Sequence, residues 1–474
     1  MDDLIKESEK ASHANARQLY STTVSTTSIT YNRGYYSLLY NLSSKMVKMY
    51  NYLFKLYVDE YGKQSASQSV AAIECFTYNI VKAVKLKQKD ISFSSDSSRY
   101  TKIVLNGKLI TNNVGHKATL QLVSLLEKEG LLSVTKGYKI ENQYGVNSSS
   151  GYLSLTQDIV NIVEDNVDLH RLRIGTSRSV VVLRDDNSRD IEFTETKYTK
   201  EIINVLTRYN KMMDKHNVEY KGTKLDTGLA RIFNKDFNSG GRLYATGGSY
   251  QTIPAQTRNL ITIDGQDTAE VDIKGSHISI LHTMVGSRLL RGYDPYDIPM
   301  DGVADYDVEK ISFMLCSVDE QHNPFRNLVK VALLIMVNAD SQAKATNAIK
   351  NKLNAQINNP VSIIEDLPIE ELAMMRFYGL CNVNIKELFK RIKEKHSVIS
   401  EYFFSGAGVW LQKMEGDIFT KVVDNCIDND YPVLIIHDSV RGKVEHIKKI
   451  GGFIEQAWVE VVGDATNLAL EYEF

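Results

Sequence analysis

Ala269-Glu-Val-Asp-Ile-Lys-Gly-Ser-His-Ile-Ser-Ile-Leu281 opens as an apolar strand that ends in a carboxylate, Asp272. A second stretch, Val433-Leu-Ile-Ile-His-Asp-Ser-Val440, is an apolar strand delivering His437 and Asp438. The two aspartates lie 166 residues apart, each just after a β-rich run. Adjacent strands of one antiparallel sheet could bring them together. The bland reading is two unrelated exposed aspartates, because an aspartate at the end of an apolar strand is common.

Three further stretches surround this pair. Upstream stands Gly240-Gly-Arg-Leu-Tyr-Ala-Thr-Gly-Gly-Ser-Tyr-Gln-Thr-Ile-Pro-Ala-Gln-Thr-Arg258. Between the aspartates lies Arg326-Asn-Leu-Val-Lys330, followed by the apolar run Val331 to Val337 and then Asn338-Ala339. Arg326 and Lys330 are one helical turn apart and so face one side. An arginine fork suits a pair of phosphate oxygens. Solvated cations at a helix start are the alternative. Ahead of Asp438 comes Gln412-Lys-Met-Glu-Gly-Asp417.

In this order the segments closely resemble the palm and fingers of DNA polymerase I-type (family A) polymerases, over roughly residues 230–474. By that resemblance Asp272 is the motif A aspartate, Arg326 and Lys330 belong to motif B, and His437-Asp438 is motif C. The resemblance implies that Asp272 and Asp438 hold two magnesium ions, with manganese as a substitute. It also implies that Arg326 and Lys330 hold the nucleotide's phosphates, with Lys330 protonating the leaving pyrophosphate. His277, Leu334 and Asn338 fall at nucleotide-binding positions. Arg242, Gln251, Arg258, Gln412 and His437 fall at primer-template positions, a buried and internally satisfied Arg or Gln being the alternative. Asp417 is expected to orient its helix, and Asp294-Pro-Tyr296 resembles a short segment that follows motif A. The chemistry is coherent. In-line displacement at an α-phosphate uses two ions about 3.5–4 Å apart, and magnesium prefers carboxylate, phosphate and water oxygens.

The chain also departs from the family. His277 stands where a glutamate usually shields against a ribose 2′-hydroxyl. Asn338 replaces a tyrosine and Leu334 an aromatic residue. Ser439 makes motif C His-Asp-Ser, as in single-subunit phage-type RNA polymerases. A bulky His277 could itself act as a steric gate. The expected activity is therefore DNA-directed DNA synthesis from dNTPs on a primer-template. A DNA-directed RNA polymerase or primase using NTPs is the alternative. A non-catalytic winged-helix DNA-binding replication protein is a second, and a metal-dependent nuclease a third. No proofreading exonuclease is expected, since Val58-Asp-Glu60 sits in a helical, tyrosine-rich context.

The N-terminal half reads differently. Tyr36 to Tyr57 has helical apolar spacing, and Val81 to Lys89 is a lysine run that reads as a phosphate-tracking or merely solvated face. His116 to Glu129 is an amphipathic helix closed by Gly130, followed by strand-like runs at Leu131–Lys139 and Tyr152–Leu155. Helix, Gly-Leu-Leu, then a loose hairpin is a winged-helix-like pattern. A short hairpin at 178–194 and a helix from about Tyr198 to His216 follow.

The predicted fold class is α+β: a right-hand polymerase with an antiparallel palm sheet and helical fingers and thumb, behind a mostly helical N-terminal region. The expected divisions are 1–112 (basic, helical), 113–160 (winged-helix-like), 161–230 (connector), 231–300 (palm with motif A), 301–395 (fingers) and 396–474 (palm with motif C). Composition agrees. Of 474 residues 43% are hydrophobic, which excludes a disordered chain. Net charge is −2, yet residues 1–150 carry +7 and residues 151–474 carry −9. That split suits a polyanion-facing front and a carboxylate-rich back. The four cysteines (Cys75, Cys316, Cys381, Cys426) are scattered, which disfavours zinc and suits reduced thiols. No secretory signal is read at the N-terminus, and no apolar run is long enough for a membrane span. A cytoplasmic monomer is expected, with replication accessory proteins as further partners. Compact size and the missing proofreading domain associate it with phage or mobile-element enzymes.

Overall fold

The computed structural model describes residues 33–35, 43–100, 103–110, 113–142, 145–149, 151–169, 172, 179–246, 250–290, 292–306, 324–358 and 381–474. These residues mix helix and strand around two separate apolar cores, one from Met46 to Leu172 and one from Val180 to Trp458.

In the first core the helices Val47–Tyr61, Val70–Lys85, His116–Lys128 and Gln157–Asn166 pack with a small sheet. Its strand Tyr152–Leu155 pairs antiparallel with both Asp90–Ser92 and Leu132–Thr135. Gly130 takes φ +71 just past the end of His116–Lys128, the left-handed C-terminal cap its position predicts. The predicted helix from Tyr36 is present from Val47 onward, after a 3-10 turn at Ser44–Met46, and residues 36–42 lie outside the described residues. So do Arg178, at the start of the predicted short hairpin, and Cys316. The hairpin itself is found as Val181–Arg184 against Asp190–Ile191.

The lysine run has a use that neither reading foresaw. Lys82 is buried and makes a 3.1 Å ion pair with buried Asp226 of the second core. Lys87 Nζ donates to Gly222 O at 3.5 Å, and Lys85 Nζ to Leu169 O at 2.7 Å. Lys82 therefore joins the N-terminal helix to the second core instead of facing solvent.

In the second core α1 (Lys197–Met213) begins at a Thr196–Thr199 capping box. Strands β1 (Leu229–Asn234) and β2 (Gly240–Ala245) form an antiparallel pair. Then come β3 (Gln266–Ile273), α2 (Ser276–Met284), α3 (Pro324–Asn338), α4 (Gly408–Asp428), β4 (Val433–Ile436), β5 (Ser439–Lys443), α5 (Ile447–Val462) and β6 (Leu470–Glu473). β3 lies between β5 and β6, antiparallel to both, and β4 flanks β5. The sheet continues from β3 through Ile261–Ile263 to Val218–Tyr220.

Helix α4 lies close against β2. A Cβ on Gly416 would stand 2.0 Å from Gly241 O, so only glycine permits this approach. The contact is locked by Arg231, which is fully buried on β1. Its Nε donates to Gly241 O at 2.7 Å and its Nη1 to Asp417 Oδ1 at 2.8 Å. Tyr198 OH also donates to Asp417, and Lys413 pairs with it at 2.7 Å. Burial alone would raise the Asp417 pKa, but these cations and hydrogen bonds hold it down. Asp417 thus takes the helix-orienting place expected of it.

Candidate active site

Asp272, the penultimate residue of β3, sits opposite Ser439 of β5 and Glu471 of β6. Asp438 occupies the two-residue turn between β4 and β5, and its carbonyl accepts from Ile273 N–H at 3.1 Å. The sheet register therefore brings the two predicted aspartates together at one end of neighbouring strands. The turn is unusual: His437 holds φ +58, a left-handed conformation that non-glycine residues rarely adopt. Such strain concentrates where a backbone must present a side chain.

Both carboxylates are half-buried. Burial, then the charges of Asp438 and Glu270, pushes Asp272 up to about 8, against the opposing pull of Lys330. Burial, then Glu415, raises Asp438, with Arg242 and His277 opposing. Neither aspartate forms an ion pair among the described residues, and neither does Glu471 opposite Asp272, whereas the other acidic side chains around them do. Glu270 lies on the same face of β3 as Asp272 and is held by Arg441 at 3.0 Å, by Arg258 at 2.8 Å and by the Ser439 hydroxyl. Glu415 is paired with Arg242 at 2.8 Å, Asp417 with Arg231, and Asp294 with Arg326 at 2.8 Å. The two aspartates thus stand without a cation partner beside the arginine-paired Glu270, Glu415 and Asp294.

Across the cleft stands α3. Its buried side carries Leu328, Val329, Ala332, Leu333, Met336 and Val337. Arg326, Lys330, Leu334 and Asn338 follow at intervals of four on the opposite face, and the last three are exposed. Tyr296 lies between this stripe and the aspartates. Arg326 Cζ is 4.9 Å and Lys330 Nζ 5.9 Å from its ring centroid. Burial raises the phenol to about 12; Asp438, Asp294 and Asp272 add to the rise and Arg326 opposes it.

At the first turn of α2, buried His277 meets Glu415 Oε2 through Nε2 at 3.0 Å, and Arg242 Nη2 reaches the same oxygen. Burial would raise Glu415, yet the His277 hydrogen bond and the Arg242 charge outweigh it and keep the carboxyl low. Glu415 was not among the residues singled out in the sequence. It nevertheless left a signal: Leu411, Ile418, Phe419 and Val422 form one buried helical stripe, and Glu415 stands on it.

The remaining predicted residues divide in two. Gln412 is half-buried and His437 exposed beside the cleft. Gln251 and Arg258 are turned inward. Gln251 is buried; its Nε2 donates to Leu243 O and Ile435 O, and its Oε1 accepts from Ala245 N–H. Arg258 donates to Ile253 O and Glu270. Both match the internally satisfied alternative.

A divalent ion can be tested against this geometry. Two hard-oxygen carboxylates, crowded and without a cation, suit magnesium, which takes few protein ligands and leaves the rest to phosphate and water. Among the described residues there is no group of three or more His, Cys, Asp or Glu side chains that could hold a metal alone. The site would be completed by substrate oxygens. No helix of the described residues is long and apolar enough to cross a membrane.

No protein-family model matches the chain, and no curated protein matches it. Among solved structures, one similar chain is the POL domain of Pol1 from M. smegmatis, in complex with DNA primer-template and dNTP. It is 11% identical, and the match covers 91% of this chain and 66% of that chain at a TM-score of 0.28. A superposition so loose carries no argument about fold or activity.

Proposed function

We propose that the protein catalyses template-directed nucleotidyl transfer, as a DNA-directed DNA polymerase of family A type without a proofreading exonuclease. The observation that carries this is the isolated pair Asp272 and Asp438, unpaired amid arginine-paired carboxylates and faced by the cationic stripe of α3. Two magnesium ions held by Asp272 and Asp438, for which manganese could substitute, would activate the primer 3′-oxygen and neutralise the leaving pyrophosphate. Lys330 and Arg326 would hold the triphosphate, and Lys330 would supply a proton to the departing oxygen. Leu334 and Asn338 continue the same face toward the base and sugar. Arg242, Gln412 and His437 would meet the primer-template, while Gln251 and Arg258, bonded within the protein, would brace the sheet that carries the aspartates. His277, immobilised by Glu415, makes a rigid wall in the turn after Asp272. That supports deoxyribose over ribose, and so dNTPs over NTPs.

The test is extension of a primed DNA template with magnesium, offering dNTPs and NTPs separately. Asp272→Ala and Asp438→Ala are each expected to lose at least about 10³-fold in kcat. Extension at the wild-type rate by either variant would sink the proposal.

A further inference from the structure

The segment 293–297 presents Asp294 and Tyr296 to α3, and its far side is held by groups that nucleotidyl transfer does not use. The Arg326 guanidinium grips Asp294 with two bonds, Nε to Oδ2 at 2.8 Å and Nη2 to Oδ1 at 3.2 Å. The same Oδ1 accepts from Tyr296 N–H at 2.9 Å, so one carboxylate sets both the arginine and the start of the tyrosine. Behind them stands His396, at the C-terminal end of the helix Ile385–Lys395 and fully buried. Its Nε2 donates to Pro295 O at 2.9 Å, and its Nδ1 lies 3.3 Å from Tyr293 OH, which donates to it. The neighbouring Lys395 donates to Asp297 O and covers the Tyr293 ring at 4.8 Å. His282 of α2 and Phe403 complete an edge-to-face cluster around the imidazole, with centroids 6.1 and 6.2 Å away.

We propose that His396 is a positioning residue. Through Pro295 and Tyr293 it fixes the segment that aims Asp294 at Arg326 and Tyr296 at Lys330, and so sets where the phosphate-binding cations stand relative to Asp272 and Asp438. This rests on the nucleotidyl-transfer reading. The tautomer is determined by its partners: Nε2 carries the hydrogen and Nδ1 accepts, so the ring works neutral. Its surroundings keep it so. Burial first, then the charges of His282 and Lys395, lowers its pKa to about 4, against the Pro295 bond. Tyr293, His282 and Lys395 are the titratable groups around it, and none is an anion that would favour imidazolium. Two successive residues, Lys395 and His396, thus tie down two carbonyls of a five-residue stretch whose other side faces the reaction. A histidine that merely filled the core would not need both ring nitrogens on that one stretch.

The experiment is steady-state incorporation of a single nucleotide by the full chain, with melting curves for each variant. His396→Leu removes both bonds and is expected to raise KM for the nucleotide about tenfold, with KM for primer-template unchanged and kcat within about threefold. His396→Gln, which keeps an N–H near the Nε2 place, should recover most of that loss. Asp294→Asn should raise KM like His396→Leu, and Tyr293→Phe should raise it about two- to threefold. If His396→Leu does not fold, Asp294→Asn and Tyr293→Phe decide by the same KM. Wild-type protein that incorporates no nucleotide overturns the nucleotidyl-transfer reading and this inference with it. An active wild type whose nucleotide KM is unmoved by these variants, or a His396→Leu variant that only melts earlier, overturns the positioning role alone.

Discussion

Replacing Asp272 by asparagine should stabilise the metal-free protein while destroying its activity. The Asp272 carboxyl is raised from 3.8 to about 8 in the folded chain. A folded pKa above the unfolded one means that the native state binds the extra proton, so stability falls as pH climbs from about 4 to about 8 and is level above. Each pKa unit corresponds to about 1.4 kcal/mol, which sets a ceiling of roughly 6 kcal/mol. The carboxylate is only half-buried and keeps part of its hydration, so a gain on the order of 2 kcal/mol is expected for Asp272→Asn. Removing this charge also relieves Asp438. Differential scanning calorimetry in EDTA at pH 5, 7 and 8.5 is the assay. The variant should melt above wild type at pH 8.5, with the gap narrowing toward pH 5. Magnesium without DNA should then raise the wild-type Tm more than the variant's, because the ion compensates the charge that asparagine lacks. A variant no more stable than wild type at pH 8.5, or magnesium shifts equal in the two proteins, would refute the idea that Asp272 and Asp438 are a repelling pair awaiting a cation.

Three other substitutions test the scaffold around the pair. Gly416→Ala drives a methyl into Gly241 O and should cost about 3 kcal/mol in thermal melts. Gly452→Ala, with open space around its Cβ inside α5, should instead stabilise by about 0.5–1 kcal/mol. Equal effects would show that α4 does not rest on β2 as described. Glu415→Gln weakens the hold on His277 and Arg242. The ratio of kcat/KM for dNTP over NTP should fall about tenfold; an unchanged ratio would remove His277 as a sugar wall.

What could be read from the sequence was local and periodic. The runs Val433–Ile436 and Ala269–Val271 are buried strand residues, so the aspartates that follow them were legible as strand-end groups. The four-residue spacing of Arg326 and Lys330 was legible as one helix face, and the structure adds Leu334 and Asn338 to it. What escaped depends on partners far away in the chain. Arg258 was expected at a primer-template position, yet Glu270, on the neighbouring buried strand, pairs with it. Gln251 looked like a groove contact, but its amide joins β2 to Ile435 across 184 residues of sequence. Arg231 could have been noticed: it alternates with Leu229 and Phe233 along β1, so its side chain had to enter the core and find an acid there.

The charge asymmetry between the two halves now has a physical partition. Part of the positive front is not a nucleic-acid surface. Lys82 is buried against Asp226 of the second core, and Lys108 reaches Glu195 at 3.0 Å, so these charges are taken up within the protein. Breaking a buried pair such as Lys82–Asp226 leaves a stranded charge and costs more than the pair contributes. The two cores, separate in their packing, are therefore linked through charge. Part of the negative back is likewise paired, since Glu270, Glu415, Asp417 and Asp294 each hold an arginine. Among the described residues these pairs leave Asp272, Asp438 and Glu471 without an ion pair at one end of the sheet, with Lys330 the cation that acts on Asp272. A total near zero hides this because ion pairs cancel in a sum, whereas the reactive charge of the molecule is what remains after they have cancelled.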